Sequence, residues 1–288
     1  MTATNFCALL GTKGGPAIRP GSSMPTSNYL SLNHQHLVVD CGLGVTKGLV
    51  DQNLSLNCLS RIFITHLHSD HYLELGPLIH TAWTAGLKSQ VDVYGPEGLQ
   101  AYWDQFNASM QADIQLRIED EGRPDLHSLV TIHVMDEGTV LSTDDLDVEA
   151  LRVQHPPLTD CFALSFKSKG THVVFSGDTA PLDALAHWAQ GCDLFIHEAM
   201  LEAALPALFQ RIGNVDDRLM KHWLRSHTFA HDTAKLAAKA KVKALALTHL
   251  IPSDDPDYGK AHWEQAVRDH WDGDLFVGHD GLIIPLPG

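Results

Sequence analysis

Residues 65–71 read THLHSDH, which places His66, His68, Asp70 and His71 within six positions. The run follows RIFI, an aliphatic and aromatic stretch of strand character, with no turn residue between them. If the strand continues through the histidines, its two-residue period sets His66 and His68 on one face. Asp70 and His71 then open the next helix. Imidazole nitrogens and carboxylate oxygens are the standard ligands of zinc and related cations. The chain holds 19 histidines, so one strand-end histidine by itself means little; the constraint lies in four donors at this spacing.

The rest of the sequence supplies partners. The runs FCALLG, QHLVVDCG, RIFITH, VDVYG, LDVEALRVQ, CFALSF, THVVFSGD, DLFIHEA, VKALALTH and DLFVGHDGLIIP read as strands, each ending near Gly, Asp, His or Pro. Helices are expected over 72–85, 96–110, 183–189, 216–225, 232–240 and 261–269, with a polar surface loop at 119–125. That alternation predicts α/β layers. His66, Asp178, Glu198 and His249 follow, or nearly follow, apolar strands, and His155 stands after another in VQHPP. In layered α/β folds sites gather beyond strand C-termini, where a strand holds a loop residue rigidly. His66, His68, His71, His155, His249, Asp70 and Asp178 would serve two neighbouring cations with one carboxylate bridging them. Water held between two such cations loses a proton near neutral pH, which yields a hydroxide nucleophile.

Composition narrows the field. Hydrophobic residues make up 44% of the chain, enough for a large core, and the net charge of -15 without a Lys/Arg run argues against a nucleic-acid surface. Five cysteines, an odd number with no Cys-x-x-Cys pair, argue against a disulfide framework or a thiolate zinc knuckle. The first residues lack a basic and apolar leader, and no stretch reaches the roughly 18 apolar residues of a membrane span. A cytoplasmic protein with no membrane partner is expected.

THLHSDH resembles the HxHxDH signature of the metallo-β-lactamase superfamily. The order of the downstream candidates is similar too: a lone histidine, His155; a Gly-Asp after a strand, Gly177-Asp178; and a last histidine, His249. The resemblance covers nearly the whole chain. It implies one domain over residues 1–288, built as a four-layer αββα sandwich, the metallo-β-lactamase fold, with a dinuclear site at one edge. It also implies roles: His66, His68 and His155 on one metal, Asp70, His71 and His249 on the other, and Asp178 bridging. The set is nitrogen and oxygen without thiolate, so zinc is the first expectation for the two divalent ions, with manganese or iron compatible.

Other motifs resemble those of ribonuclease Z and its relatives: LGTKGGP with IRPGSSMPTSNYL at the start, DCGLGV at 40–45, HLHSDHYLEL with Glu74 in place of a glycine, FIHEA with Glu198, and HTFAHDTAKLAAKAKVKALALTH. This resemblance implies Asp70, Glu198 and His227 as the catalytic set, with His231, one turn later, competing for His227's role. A carboxylate beside the imidazole is expected to raise its pKa, so that it stabilises an oxyanion or protonates a leaving group.

One departure redirects the reading. Ribonuclease Z carries a flexible basic arm between the lone histidine and the bridging aspartate; here His155 and Asp178 enclose only a hairpin. The last motif, HLIPSDDP, also lacks the usual arginine. These losses point to a small-molecule substrate: a metal-bridging hydroxide attacking an ester, phosphodiester, sulfate, lactone or aryl halide. A ribonuclease Z-type tRNA 3′ endonuclease and a non-catalytic metal-binding module on the same fold are the alternatives. The branch implies a homodimer. Tyr72, Trp223 and Phe229 are expected near the entrance. His80, His127, His133, His172, His187, His222, His262, His270 and His279 have no spacing partner and read as structural or exposed.

Overall fold

The computed structural model describes residues 5–213 and 216–287. The first half contains β1 (Phe6–Gly11), β2 (Ser27–Leu32), β3 (Gln35–Cys41), α1 (Val45–Asp51), β4 (Arg61–Phe63), α2 (Ser69–Tyr72), α3 (Leu75–Thr84), β5 (Val91–Gly95), α4 (Leu99–Glu121), β6 (Val130–Val134) and β7 (Gly138–Ser142). The second half contains β8 (Asp147–Arg152), β9 (Phe162–Ser168), β10 (Thr171–Phe175), α5 (Asp183–Trp188), β11 (Leu194–Met200), α6 (Leu205–Ile212), α7 (Arg218–Ser226), α8 (Ala230–Ala240), β12 (Ala244–Ile251), α9 (Lys260–Arg268), β13 (Asp274–Val277) and β14 (Leu282–Pro285).

The strands form two seven-stranded sheets, β14-β1-β2-β3-β4-β5-β6 and β13-β12-β11-β10-β9-β8-β7. Within them β3 to β6 run parallel, as do β10 to β13. The two-residue period sorts the apolar side chains. Leu37 and Val39 of β3 meet Phe162, Leu164 and Phe166 of β9 between the sheets. Val38 and Ile62 face outward onto α1, α3 and α4. Val174 and Phe195 face outward onto α5, α8 and α9. Each such large side chain contributes about 1.5–3 kcal/mol on burial. The result is helix, sheet, sheet, helix, the αββα sandwich that the motifs imply. A smaller cluster fastens α6 and α7 to Met200 and Ile251. Among the described residues no helix is long and apolar enough to cross a membrane.

Several elements differ from expectation. Strand β4 stops at Phe63, so His66 and His68 lie beyond it, and the shared-face argument does not hold. His68 is extended, with φ −85° and ψ 142°, and leads into α2. The helix expected over 72–85 is broken at Glu74, whose carboxylate accepts from Gly44 N and, at 3.0 Å, from Thr46 N. Glu74 thus satisfies N–H groups at the start of α1, where negative charge is favourable. Helix α4 runs to Glu121 and takes in the start of the expected 119–125 loop. Arg117 pairs with Asp113 at 2.9 Å and Glu121 at 3.0 Å along it, and Gly122, at φ 66°, ends it. DLFVGHDGLIIP is two strands in different sheets. Asp280 anchors the crossing by accepting from Thr12 N at 3.0 Å and Met24 N at 2.6 Å.

Candidate metal centre

The two sheets deliver their loop residues to one edge. Gly177, at φ 58°, turns the chain after β10; a Cβ there would lie 2.5 Å from the Phe162 carbonyl oxygen. The next residue is Asp178. Across the cleft Gly14 lets the loop after β1 pass His249, since its Cβ would come within 3.0 Å of that ring.

The seven candidate ligands meet there, all buried except the partly buried His68. His68 Nδ1 lies 3.2 Å from His66 Nε2 and 2.9 Å from His155 Nε2. Asp70 Oδ2 lies 3.3 Å from His249 Nε2 and 3.6 Å from His71 Nε2. Asp178 Oδ2 sits between the two groups, 3.1 Å from His249 Nε2, 3.3 Å from His71 Nε2, 3.7 Å from His66 Nε2 and 3.8 Å from His155 Nε2. Within each of the triads His66–His68–His155, His66–His71–Asp178 and Asp70–His71–His249, the donor atoms lie within 4.8 Å of one another.

Hydrogen bonds behind the rings fix which nitrogens face inward. His71 Nδ1 donates to Asp40 Oδ2 at 2.8 Å, and His155 Nδ1 donates to the Ser226 carbonyl at 2.8 Å. His66 Nδ1 lies 3.1 Å from Thr65 Oγ1, which in turn donates to Asp40. The Nε2 atoms of His66, His71 and His155 therefore present lone pairs to the centre. His71 Nε2 is buried without a hydrogen-bond partner while facing two carboxylate oxygens. Lone pairs aimed at one another in a dry site repel unless positive charge lies between them. The donor set therefore fits divalent cations. In the protein alone protons fill that need: despite burial, Asp178, Asp40 and Asp70 hold His71 well above its usual pKa. Despite burial, His249, His71 and His66 hold Asp178 well below the carboxylate range. At His155 burial dominates and lowers the pKa to about 3.

Glu198, on β11, accepts from Thr179 N at 2.9 Å and from His227 Nδ1 at 3.0 Å. His227 stacks on His249 with ring centroids 5.3 Å apart. Burial, followed by the charge of Asp178, raises the Glu198 carboxyl well above its usual range, and burial lowers the His227 imidazole. The sequence predicts that Glu198 raises the imidazole; instead burial has the largest influence on His227, and the carboxylates that oppose it are Asp178 and Asp70. His231 lies elsewhere: it faces Asp232 at 3.3 Å and lines another cavity with His262 and His270.

A cavity of about 380 Å³ opens onto the cluster. His68, Asp70, Asp178, His227 and His249 line it together with Leu208, Ile212, Leu219, Trp223 and Ile251. Trp223 is where the sequence puts it. Tyr72 instead packs on Tyr102, and Phe229 stacks on His231. His222, set aside in the sequence, lines the cavity, with its ring centroid 5.7 Å from His155 and 5.9 Å from His227. Its signal was present: Leu219, His222, Trp223 and Ser226 form the i, i+3, i+4, i+7 stripe of α7. Asp40 and Thr65, which orient His71 and His66, were also missed as site residues, although Asp40 ends a strand at DCG.

The fold and this site define a metal-dependent hydrolase of the metallo-β-lactamase superfamily, similar to ribonuclease Z. Residues 9–247 match the family described as the anti-Pycsar protein Apyc1, and the chain belongs to that family. A protein named ribonuclease Z from Mycobacterium bovis (strain BCG / Pasteur 1173P2) is 27% identical over 276 residues, covering 94% of this chain and 95% of that protein. The metallo-β-lactamase fold protein YhfI from Bacillus subtilis superposes with a TM-score of 0.70 at 17% identity, covering 97% of this chain and 99% of that one. Zinc-bound PqqB from Methylobacterium extorquens superposes with a TM-score of 0.72 at 13% identity, again over 97% and 99%.

Proposed function

We propose that the chain is a dinuclear-metal phosphodiesterase for small substrates that carry an apolar or aromatic portion. The cavity is the observation behind this reading. At about 380 Å³ it suits a small molecule, and it sets Leu219 and Trp223 beside Asp178 and His249. The name ribonuclease, borne by the mycobacterial relative, denotes cleavage of phosphodiester bonds. His66, His68 and His155 would hold one cation, Asp70, His71 and His249 the other, and Asp178 both. Zinc is the first candidate, as the nitrogen and oxygen donors suggest and as PqqB carries it. When bound, the cations supply Lewis acidity and bring the pKa of water towards neutrality.

The chain's own residues do the rest. Glu198 holds Nδ1–H of His227, so Nε2 is the nitrogen left to take up a proton and return it to the leaving oxygen. Asp70 Oδ2 accepts Gly15 N–H at 2.9 Å, which holds the 13–19 loop against the cluster. The apolar wall excludes water from the remainder of the substrate.

The test is turnover of bis(p-nitrophenyl) phosphate, p-nitrophenyl acetate, p-nitrophenyl sulfate and a precursor tRNA by zinc-loaded protein. Diester turnover well above the acetate and sulfate is expected. The mycobacterial relative's name, spanning 94% of this chain, favours a second reading, precursor-tRNA cleavage. Against it stand the plain β9–β10 hairpin between His155 and Asp178 and the net charge of -15, which repels a polyanion. Efficient precursor cleavage with no turnover of the small substrates would replace the first reading by the second.

A further inference from the structure

Lys13 stands out in the cavity. It is 4% exposed, and its Nζ has one protein acceptor among the described residues, the Gly14 carbonyl at 3.2 Å. An ammonium carries three N–H donors, and burying it without a counter-ion is costly. The two carboxylates whose charge reaches it, Asp254 and Asp70, form no salt bridge with it, although Asp254 Oδ1 has no hydrogen-bond partner of its own. Arg19 holds Asp254 at 3.1 Å, while Gly15 N and His249 hold Asp70 at 2.9 and 3.3 Å.

The backbone around Lys13 is rigid. Its N–H donates to the Met24 carbonyl at 2.9 Å, its carbonyl accepts from Thr26 Oγ1 at 3.2 Å, and Gly14 N donates to Leu250 at 3.1 Å. Those contacts tie it to β12 beside His249. A buried, positioned cation without a salt-bridge partner therefore lines the same cavity as Asp178.

We propose that Lys13 is the specificity-determining residue of this site: its ammonium donates to a non-bridging oxygen of an anionic, tetrahedral ester and selects it over neutral acyl esters and lactones. The proposal rests on the phosphodiesterase reading and deepens it. Burial lowers the ammonium's pKa, and an arriving anion raises it again, so binding the anion also relieves the cost of burying the charge. Arg19 also lines the cavity, but it is partly exposed and paired with Asp254 at 3.1 Å.

The test compares Lys13→Met and Lys13→Arg with the unaltered protein, all zinc-loaded, on bis(p-nitrophenyl) phosphate and p-nitrophenyl acetate. The leaving group is shared, so the two differ in charge and geometry at the reacting centre. One charge-assisted hydrogen bond corresponds to about 10–100-fold. Lys13→Met should lower the ratio of diester to acetate kcat/KM by that factor, mainly through KM, and Lys13→Arg should restore part of it. Protection against thermal unfolding by inorganic phosphate should weaken in Lys13→Met and persist in Lys13→Arg. Should Lys13→Met fail to fold, Lys13→Gln is read in its place. An unchanged ratio with undiminished phosphate protection overturns the proposal. If the unaltered protein cleaves acetate but no diester, the phosphodiesterase reading fails, and phosphate protection still decides the role of Lys13.

Discussion

Replacing Asp40 by Asn tests whether the hydrogen bonds behind the rings set metal affinity. Asp40 sits at φ 64°, a conformation that Asn tolerates, so the substitution leaves the backbone unstrained. Its carboxylate accepts three hydrogen bonds, from Thr65 N at 2.8 Å, Thr65 Oγ1 at 3.0 Å and His71 Nδ1 at 2.8 Å. An amide offers one oxygen. If Thr65 N keeps it, an NH2 faces His71 Nδ1, and that nitrogen must become the acceptor. The ring proton then moves to Nε2, the atom that faces Asp178 and Asp70, and a protonated nitrogen cannot bind a cation. Loss of such an orienting partner lowers metal affinity about 10–100-fold, or about 1.4–2.7 kcal/mol. The assay is zinc competition against a chromophoric chelator, which resolves two binding steps when their affinities differ. Only the step involving His71 should weaken strongly. Denaturant unfolding of the metal-free variant separates this from general damage, since exchanging the charge-assisted bond to His71 for a neutral one costs about 0.5–2 kcal/mol by itself. Asp40→Asn protein that binds zinc at both steps with unaltered affinity would refute the reasoning.

Asp178→Ala should abolish activity and reduce bound metal, measured by elemental analysis, because its Oδ2 lies within 3.8 Å of nitrogens in both groups. His227→Ala should lower kcat by about 10²–10⁴-fold with metal content retained, and His231→Ala should leave both near normal. Loss of metal in His227→Ala would show that the division of roles is wrong. His197 is buried with its pKa lowered to about 4, so below the usual 6.5 the unfolded chain binds a proton that the folded one refuses. Its contribution to stability is therefore intact above pH 6.5 and falls by roughly 3 kcal/mol as pH drops towards 4. Metal-free His197→Asn should show a correspondingly shallower acid loss in urea unfolding than the unaltered protein, and parallel curves would refute it.

The layered fold was legible because the central strands are buried on both faces and read as unbroken apolar runs, as in VVF of β10 and LFI of β11. The strands that escaped notice lack that signal. In SNYLSL of β2 half the residues are polar, although all six are buried between β1 and β3. Strands β6 and β7 lie at sheet edges and are half exposed, so no apolar run marks them. The full length of α4 was hidden for a related reason. Only Leu99, Trp103 and Ile114 of it are buried, so few apolar positions mark it past residue 110, and pairs such as Arg117 with Asp113 do not register in hydrophobic periodicity.

At the site, what the sequence displays and what it conceals separate along one physical line. The candidate ligands are His and Asp residues at a strand end or in the loop and helix start that follow one, so residue type and position together expose them. A residue that orients a ligand can be any hydrogen-bonding group that the fold brings behind the ring. Ser226 does so through its backbone carbonyl, which no side-chain pattern reveals. Asp40 and Thr65 lie 25 positions apart in the chain and meet only because β3 and β4 are parallel neighbours. Lys13 is the extreme case: in LGTKGGP it looks like one more surface lysine. Its burial arises when the loop after β1 closes onto β12, which brings it beside His249, more than two hundred residues away in the sequence. Charge placed by such a closure acts where the two sheets meet, so the residues that choose the substrate need not lie near the motif that names the chemistry.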